Sequence, residues 1–315
     1  MASVSSVPPV AAPRTALIRF SWFVVAYNVL VILWGALVRA TGSGAGCGNH
    51  WPLCNGQVVP LAPTLHTIIE FTHRCMVGGS TFVVVALLVW TLRSVRKGEI
   101  ARTAAIVSML LLLNEAFLGA LLVKLGYVTG NQSVGRVVVL AIHLSNTLLL
   151  LASLTVTARY LGVAGQWSVA ARNRLTRWIA SLTTLIVTIG VGVSGSMAAL
   201  GDTLFPASSL QSAMSQDFAS AAPWLLRVRW VHPASAVVAG LLILWMCWQT
   251  GFGRMARVVL ALLCFQFVLG MADVLLLAPT WLQITHLFGA DLFWIALVLL
   301  AIDVADPARR ADLAA

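Results

Sequence analysis

The chain has 315 residues, of which 60% are hydrophobic and only 10% are charged, and its formal net charge is +10. A soluble domain is typically about 25% charged, so this composition excludes an ordinary water-soluble fold and indicates a membrane protein. On a soluble protein the positive charge would favour nucleic-acid binding. Here the placement of the charge along the chain explains it without a nucleic-acid partner.

Eight continuously apolar stretches are long enough to cross a bilayer as helices, which takes about 20 residues each. Strands of a membrane barrel would alternate apolar and polar residues, and these stretches do not. The sequence therefore predicts an all-α membrane protein with eight transmembrane helices. In chain order the stretches cover residues 18–40, 65–92, 104–124, 135–159, 177–199, 225–248, 255–278 and 280–303.

The Lys and Arg residues are distributed unequally between the two sides of the predicted helices. Fourteen of the 20 fall on the N-terminal tail, the loops after even-numbered helices and the C-terminal tail. The positive-inside rule then places both termini in the cytoplasm. We expect a multi-pass protein of the cell membrane whose loops 41–64, 125–134 and 200–224 face outward, on the side that carries the chemistry.

The first four helices resemble the last four. The third and seventh helices carry Leu118-Gly119 and Leu269-Gly270, and every even-numbered helix carries a histidine. We expect two pseudo-symmetric four-helix bundles, related by an axis along the membrane normal. The expected division is a cytoplasmic tail 1–17, an N-terminal half 18–159, a cytoplasmic linker 160–176, a C-terminal half 177–303 and a cytoplasmic tail 304–315.

Four histidines lie inside the predicted membrane helices at a similar depth of roughly 10 Å from the outer side. They are His73, His143, His232 and His286. Any one of them could be a packed, hydrogen-bonded residue. Ionisable groups inside a bilayer are costly and usually functional, however, and paired imidazoles on facing helices are a common way to hold a heme iron. Zinc fits less well because it prefers three or four clustered ligands. The set predicts two heme sites.

Glu70 shares a helical face with His66 and His73, at offsets of four and three residues. A carboxylate beside a heme could move a proton or stabilise positive charge on a reacting carbon. The alternative is an ion pair between Glu70 and Arg74 at an i,i+4 spacing. In the second half Arg229 precedes His232 by three residues, so the two halves are expected to do different work: chemistry in the first, electron handling or structure in the second.

Cys47 and Cys54 lie in the predicted outward loop 41–64. A disulfide between them would be either a structural link or a redox-active pair. Five basic residues near the outer ends of helices would either reach the interface as snorkelling side chains or bind heme propionates. These residues are Arg39, Arg74, Lys124, Arg227 and Arg229.

Three segments of the first half carry a family resemblance. Residues 35–47 read GALVRATGSGAGC, residues 51–57 read WPLCNGQ, and residues 70–74 read EFTHR. Together with eight helices in two halves and a histidine in each even-numbered helix, they strongly resemble the heme A synthases. The later helices match this family mainly by their histidines.

The resemblance implies oxidation of a methyl substituent of heme O to a formyl group, which gives heme A. It implies that His73 and His143 flank the substrate heme and that Glu70 is the essential carboxylate. It also implies that His232 and His286 bind a b-type heme in the C-terminal half.

Further expectations follow from the same resemblance. It implies a disulfide between Cys47 and Cys54, a heme O synthase upstream, a terminal oxidase as consumer, and an electron acceptor or quinone pool. Some family members have a second cysteine pair between helices 5 and 6. Residues 200–224 contain none, so this loop must be held in another way. The alternatives are a di-heme b-type cytochrome that only transfers electrons and a heme transporter or chaperone.

Overall fold

The structure is a computed structural model that describes residues 14–162 and 172–305. Within these residues the regular structure is helical and no strand is present, apart from one isolated bridge between Cys54 and Gln57. Most of the expected linker and both expected tails lie outside the described residues, which omit 1–13, 163–171 and 306–315.

The eight predicted membrane helices are confirmed, with one short helix inserted between the fifth and sixth and the sixth divided into two helices. The eight have the length and apolar composition needed to cross a membrane. In chain order the α-helices are α1 (Thr15–Ala40), α2 (Leu65–Ser94), α3 (Ile100–Lys124), α4 (Val134–Leu161), α5 (Arg172–Leu204), α6 (Leu210–Phe218), α7 (Trp224–Arg227), α8 (Val231–Gln249), α9 (Arg254–Leu275) and α10 (Thr280–Ala305).

Side-chain caps fix the starts of two helices that carry histidines. The hydroxyl of Thr64 accepts a hydrogen bond from the backbone N–H of Thr67 at 3.2 Å, which starts α2. The hydroxyl of Ser133 accepts one from the backbone N–H of Arg136 at 3.3 Å, which starts α4. Each cap satisfies a backbone donor that the first helical turn leaves without a partner.

Each group of four membrane helices packs as a closed ring of neighbours. In the first, α1 contacts α2 and α4, and α3 contacts α2 and α4. In the second, α5 contacts α8 and α10, and α9 contacts α8 and α10. The rings meet where α1 and α4 pack against α5 and α10. A buried cluster of mainly Val, Leu and Ala side chains runs through both rings.

Polar side chains join the two rings in the interior and at the end of the bundle remote from the histidines. The indole Nε1 of Trp294 in α10 donates to the backbone oxygen of Leu148 in α4 at 2.8 Å. At the remote end, Arg159 of α4 forms an ion pair with Asp303 of α10 at 2.9 Å. Such polar contacts hold membrane helices together where hydrophobic burial cannot, because lipid tails are as apolar as the side chains.

The sixth membrane segment is not the single helix predicted from residue 225. It is broken into α7 and α8, with a turn at residues 228–230 between them. Pro233 explains the break. Proline has no backbone N–H, and it is tolerated in the first turn of α8 because N–H groups there have no acceptor within the helix. His232 is consequently the second residue of its helix rather than about seven residues inside it.

Glu99 joins the start of α1 to the loop between α2 and α3. Its carboxylate accepts hydrogen bonds from the Arg14 guanidinium at 3.0 and 3.3 Å and from the backbone N–H of Arg96 at 3.0 Å. The Arg14 hydrogen bond lowers the pKa of Glu99 below its usual range. The stabilisation is therefore complete above the unfolded-state pKa and is lost as the pH falls through the lowered, folded-state pKa.

We expect Glu99→Gln to lower the free energy of unfolding at neutral pH by about 1 kcal/mol or less, as is usual for ion pairs near a surface. The difference from the unsubstituted protein should disappear in acid, where Glu99 is protonated. Thermal unfolding in detergent at several pH values measures this effect. An equal difference in stability at neutral and acid pH would contradict the assignment.

Candidate functional site

Each histidine in the membrane packs against a glycine of the preceding membrane helix. A Cβ added at any of these glycines would contact the imidazole Cε1 of its partner. The pairs, with the distance from such a Cβ to Cε1, are Gly35–His73 (3.1 Å), Gly119–His143 (4.0 Å), Gly195–His232 (2.8 Å) and Gly270–His286 (3.5 Å). The missing side chain of each glycine gives a ring room to lie against the neighbouring backbone.

The second histidine pair is brought together between α8 and α10. The ring centroids of His232 and His286 are 6.4 Å apart, and the ring planes are nearly perpendicular at 85°. The Nδ1 atom of His232 lies 3.1 Å from the backbone oxygen of Val191 and 3.3 Å from the Ser194 hydroxyl. With Nδ1 engaged, the Nε2 atom is the ring nitrogen left for a ligand.

The first pair is carried by two helices of the first group, with His73 on α2 and His143 on α4. The two imidazoles are near enough to each other to interact electrostatically. The Nδ1 atoms of both imidazoles are buried, and neither has a hydrogen-bond partner among the described residues. The Glu115 carboxylate of α3 lies 3.4 Å from Nδ1 of His143, which is within ion-pair distance but outside hydrogen-bond geometry.

These residues fit heme better than a clustered metal ion. Within residues 14–162 and 172–305, no group of three or more His, Cys, Asp or Glu side chains could hold a metal ion. A structural zinc site normally needs four such ligands. An imidazole nitrogen binds a metal at about 2 Å, so rings 6.4 Å apart leave room for one metal atom between them. Paired histidines beside glycines would therefore suit a heme, whose iron two imidazoles could hold.

Glu70 is buried and makes the ion pair that the i,i+4 spacing offers. Its exposed fraction is 3%. The Oε1 atom accepts from the Arg74 guanidinium at 2.5 and 3.2 Å, and Oε2 accepts from the backbone N–H of Cys47 at 2.8 Å. Glu70 therefore connects the histidine-bearing helix α2 with the loop that contains both cysteines.

The loop 41–64 is fastened to α2 by several groups around Glu70. Cys47 and Cys54 form a disulfide, with their Cα atoms 4.4 Å apart. The Arg74 guanidinium donates to the backbone oxygens of His50 at 2.6 Å and Leu53 at 2.7 Å. Gly46 packs so closely on the backbone of α2 that a side chain there would collide with it. The disulfide therefore closes a loop that is tied to α2, the helix that carries His73.

The five predicted propionate ligands are placed differently from one another. Arg39 donates to the Ala199 backbone oxygen at 2.8 Å and to Gln283 at 2.9 Å, so it links α1 to α5 and α10. Arg74 is bound to Glu70, as described above, and Arg227 donates to the backbone oxygens of its own loop. Lys124 lies in the last turn of α3.

Arg229 explains how the loop 200–224 is held without a second cysteine pair. Its guanidinium forms ion pairs with Asp202 of α5 at 2.5 Å and with Asp217 of α6 at 2.6 Å. Arg229 precedes His232 by three residues, as Glu70 precedes His73, and its charge is compensated by two carboxylates. The sequence contained these aspartates, but no spacing rule connected them to Arg229.

Two features of this site were not predicted from the sequence. Gly35 and Gly195 carried no signal of their contact with the histidines, although Gly119 and Gly270 already marked the internal similarity. The other feature is Glu115, to which the sequence assigned no partner. An acidic residue in an apolar span is the signal that points to such a group.

The fold and the site define a multi-pass helical membrane protein with two histidine pairs suited to heme. The chain belongs to the COX15-CtaA family of cytochrome oxidase assembly proteins, whose family model matches residues 18–298.

The individual proteins that this chain matches carry two different names. A Thermus thermophilus protein named protoheme IX farnesyltransferase is 39% identical over 302 residues, which cover 93% of this chain and 49% of that protein. Proteins named heme A synthase are 37% identical over 131 residues in Shouchella clausii (42% of this chain, 41% of the relative) and 38% over 125 residues in Bacillus licheniformis (40% and 38%). The chain spans about half the length of the Thermus relative.

Proposed function

We propose that this chain is a heme A synthase, which oxidises a methyl substituent of heme O to a formyl group. The observation that carries the proposal is the pairing of four membrane histidines, each beside a glycine, in a member of this family. The relatives named heme A synthase support it. The chain is accordingly proposed to be an oxidoreductase acting on a porphyrin.

In this proposal the two halves hold different hemes. His73 and His143 bind the substrate heme O in the half 18–159, and His232 and His286 bind heme b in the half 177–303. The second assignment is supported by the 6.4 Å separation of the His232 and His286 rings. The first is supported by the buried, unpartnered Nδ1 atoms of His73 and His143.

Glu70 is proposed to serve the oxidation of the methyl group. Converting a methyl to a formyl group removes electrons and protons and adds one oxygen atom. If His73 and His143 both held the iron of the substrate heme, they would leave no position for dioxygen, so water is the proposed oxygen source. A buried carboxylate can accept a proton or stabilise positive charge on the reacting carbon. Arg74 and the Cys47 backbone N–H would fix the position of that carboxylate.

The orientation and partners complete the proposal. The excess of Lys and Arg on one side supports the proposed orientation, with both termini in the cytoplasm and the histidine end of the bundle outward. A heme O synthase supplies the substrate, and the farnesyltransferase name of the Thermus relative is in keeping with this. The product goes to a terminal oxidase, and the electrons go to an acceptor or quinone pool.

Extraction of the bound pigment, followed by mass spectrometry, tests this function. The chain is expressed with a heme O synthase, and the extract is expected to contain heme A and heme b. Heme b alone at both sites would favour the di-heme cytochrome, and unchanged heme O would favour a transporter. Synthesis in ¹⁸O-labelled water should label the formyl oxygen, and its absence under conditions without exchange would exclude water as the source.

A further inference from the structure

Glu115 is a carboxylate of α3 that is enclosed by one face of α4. The side-chain amide of Asn146 donates to its Oε2 at 2.5 Å, and the Thr147 hydroxyl donates to its Oε1. The same Oε1 lies 3.4 Å from Nδ1 of His143. These three partners stand at offsets of three and four residues along α4, so they share one helical face.

The carboxylate is fixed from more than one direction. Asn146 is itself oriented, because its side-chain oxygen accepts a hydrogen bond from the Asn114 amide at 2.8 Å and its amide also donates to the Leu111 backbone oxygen at 2.9 Å. The Thr147 hydroxyl also lies 2.9 Å from the His143 backbone oxygen, so its single proton is shared between that oxygen and Glu115. Glu115 thus has a defined position beside the imidazole, as expected for a polar network inside a bundle.

His143 lacks a hydrogen-bond partner at the nitrogen that faces this carboxylate. Its Nδ1 is buried and unpartnered among the described residues, and the Glu115 oxygen is 3.4 Å away. Metal-binding histidines almost always donate their second ring N–H to a carboxylate, a backbone carbonyl or water. At 3.4 Å the Glu115 oxygen is within ion-pair distance of Nδ1 and is the carboxylate placed to be this acceptor.

We propose that Glu115 is the positioning residue of the first heme site: it accepts the Nδ1–H of His143 and so directs Nε2 toward the iron. This inference rests on the proposed function only in taking His143 as a heme ligand. Glu115 acts through His143 and does not touch the substrate.

In the second histidine pair, neutral groups stand where the first pair has the Glu115 carboxylate. The Nδ1 atom of His232 faces the backbone oxygen of Val191 and the Ser194 hydroxyl rather than a carboxylate. A carboxylate acceptor makes an imidazole a more basic ligand and adds negative charge near the iron, which stabilises the oxidised state. The first site should therefore have the lower reduction potential of the two, which suits a site whose bound porphyrin is to be oxidised.

Redox titration of the holoprotein, loaded with heme O and heme b, tests the proposal in the variant Glu115→Gln. The amide keeps the size of the side chain and removes its charge. We expect the oxidised-to-reduced equilibrium of the first heme to shift about tenfold toward the reduced state, which corresponds to about 59 mV for one electron. The second heme should not shift. His73→Ala and His232→Ala, each lacking one heme, assign the two signals.

The matched control is Glu99→Gln, which makes the same chemical change at the cap of the same helix, α3. It should leave both potentials unchanged. A Glu115→Gln protein that retains both hemes with unaltered potentials would overturn the proposal. Should this variant lose the first heme, Glu115→Asp, which keeps the charge, must restore both the heme and its potential, and failure to do so would also overturn it. Potentials are measured without turnover, so heme A formation can fail or succeed independently.

Discussion

Replacing Glu70 with alanine is expected to lower the ratio of heme A to heme O at least about 100-fold, while both hemes remain bound. General acid–base groups typically contribute factors of about 10²–10⁴, which sets this magnitude. The substitution removes the only carboxylate on the helical face that carries His73, so the reaction should stop at heme O or at a hydroxylated intermediate. Pigment extraction and mass spectrometry measure the ratio.

Glu70 also has a structural role, and the experiment must separate the two. Loss of one partner from a buried ion pair is destabilising because the other charge is left without compensation. The alanine variant leaves Arg74 without its carboxylate and the Cys47 backbone N–H without its acceptor. Heme content and the number of free thiols in the variant report whether α2 and the loop 41–64 are still in place.

Glu70→Gln is the informative companion variant. Glutamine keeps an acceptor for the Cys47 N–H but has neither the negative charge nor the basicity of a carboxylate. If Glu70 works by proton transfer or charge, this variant should stall as the alanine variant does, with the disulfide intact. Normal heme A formation by Glu70→Gln would mean that Glu70 only holds the loop, and the chemical role would then be wrong.

The eight membrane helices could be predicted from the sequence because hydropathy over about 20 residues responds to one physical requirement. The break before His232 could be predicted only from a local signal, because hydropathy averaged over a whole span does not detect it. Residues 225–248 have the length and mean hydropathy of one span although they include Arg227 and Arg229, and Pro233 indicates that a new helix begins near it. The single-helix prediction overlooked the turn before α8. The span itself covers residues 224–249, and neither it nor the pairing of His232 with His286 depends on that turn.

The polar partners in the site could not be predicted because they depend on how helices rotate against one another. Glu115 and His143 are 28 residues apart on two helices, and only the packing of α3 on α4 brings them to 3.4 Å. Glu70 has one contact of each kind. Its ion pair with Arg74 is local and could be predicted from the spacing, whereas its hydrogen bond from the Cys47 backbone depends on the fold of the loop.

The glycine–histidine contacts lead to the second prediction with a large effect. Gly195→Ala should weaken heme b binding in the C-terminal half by about 5- to 150-fold. A Cβ at residue 195 would lie 2.8 Å from Cε1 of His232, closer than such atoms pack. The ring cannot move away without losing its contacts with Val191 and Ser194. Overpacking of this kind typically costs about 1–3 kcal/mol, which gives the stated range. Heme titration of the purified protein measures the affinity.

Gly190→Ala is the matched control, because it makes the same substitution on the same helix, α5, with no atom within 4 Å of the added Cβ. Alanine is the better helix former by about 1 kcal/mol, so neither variant should lose heme through a weaker helix. Gly190→Ala should therefore bind heme b normally, and Gly195→Ala should keep the heme of the first half. Equal heme b affinity in the two variants would show that the second heme does not depend on the position of His232 against Gly195.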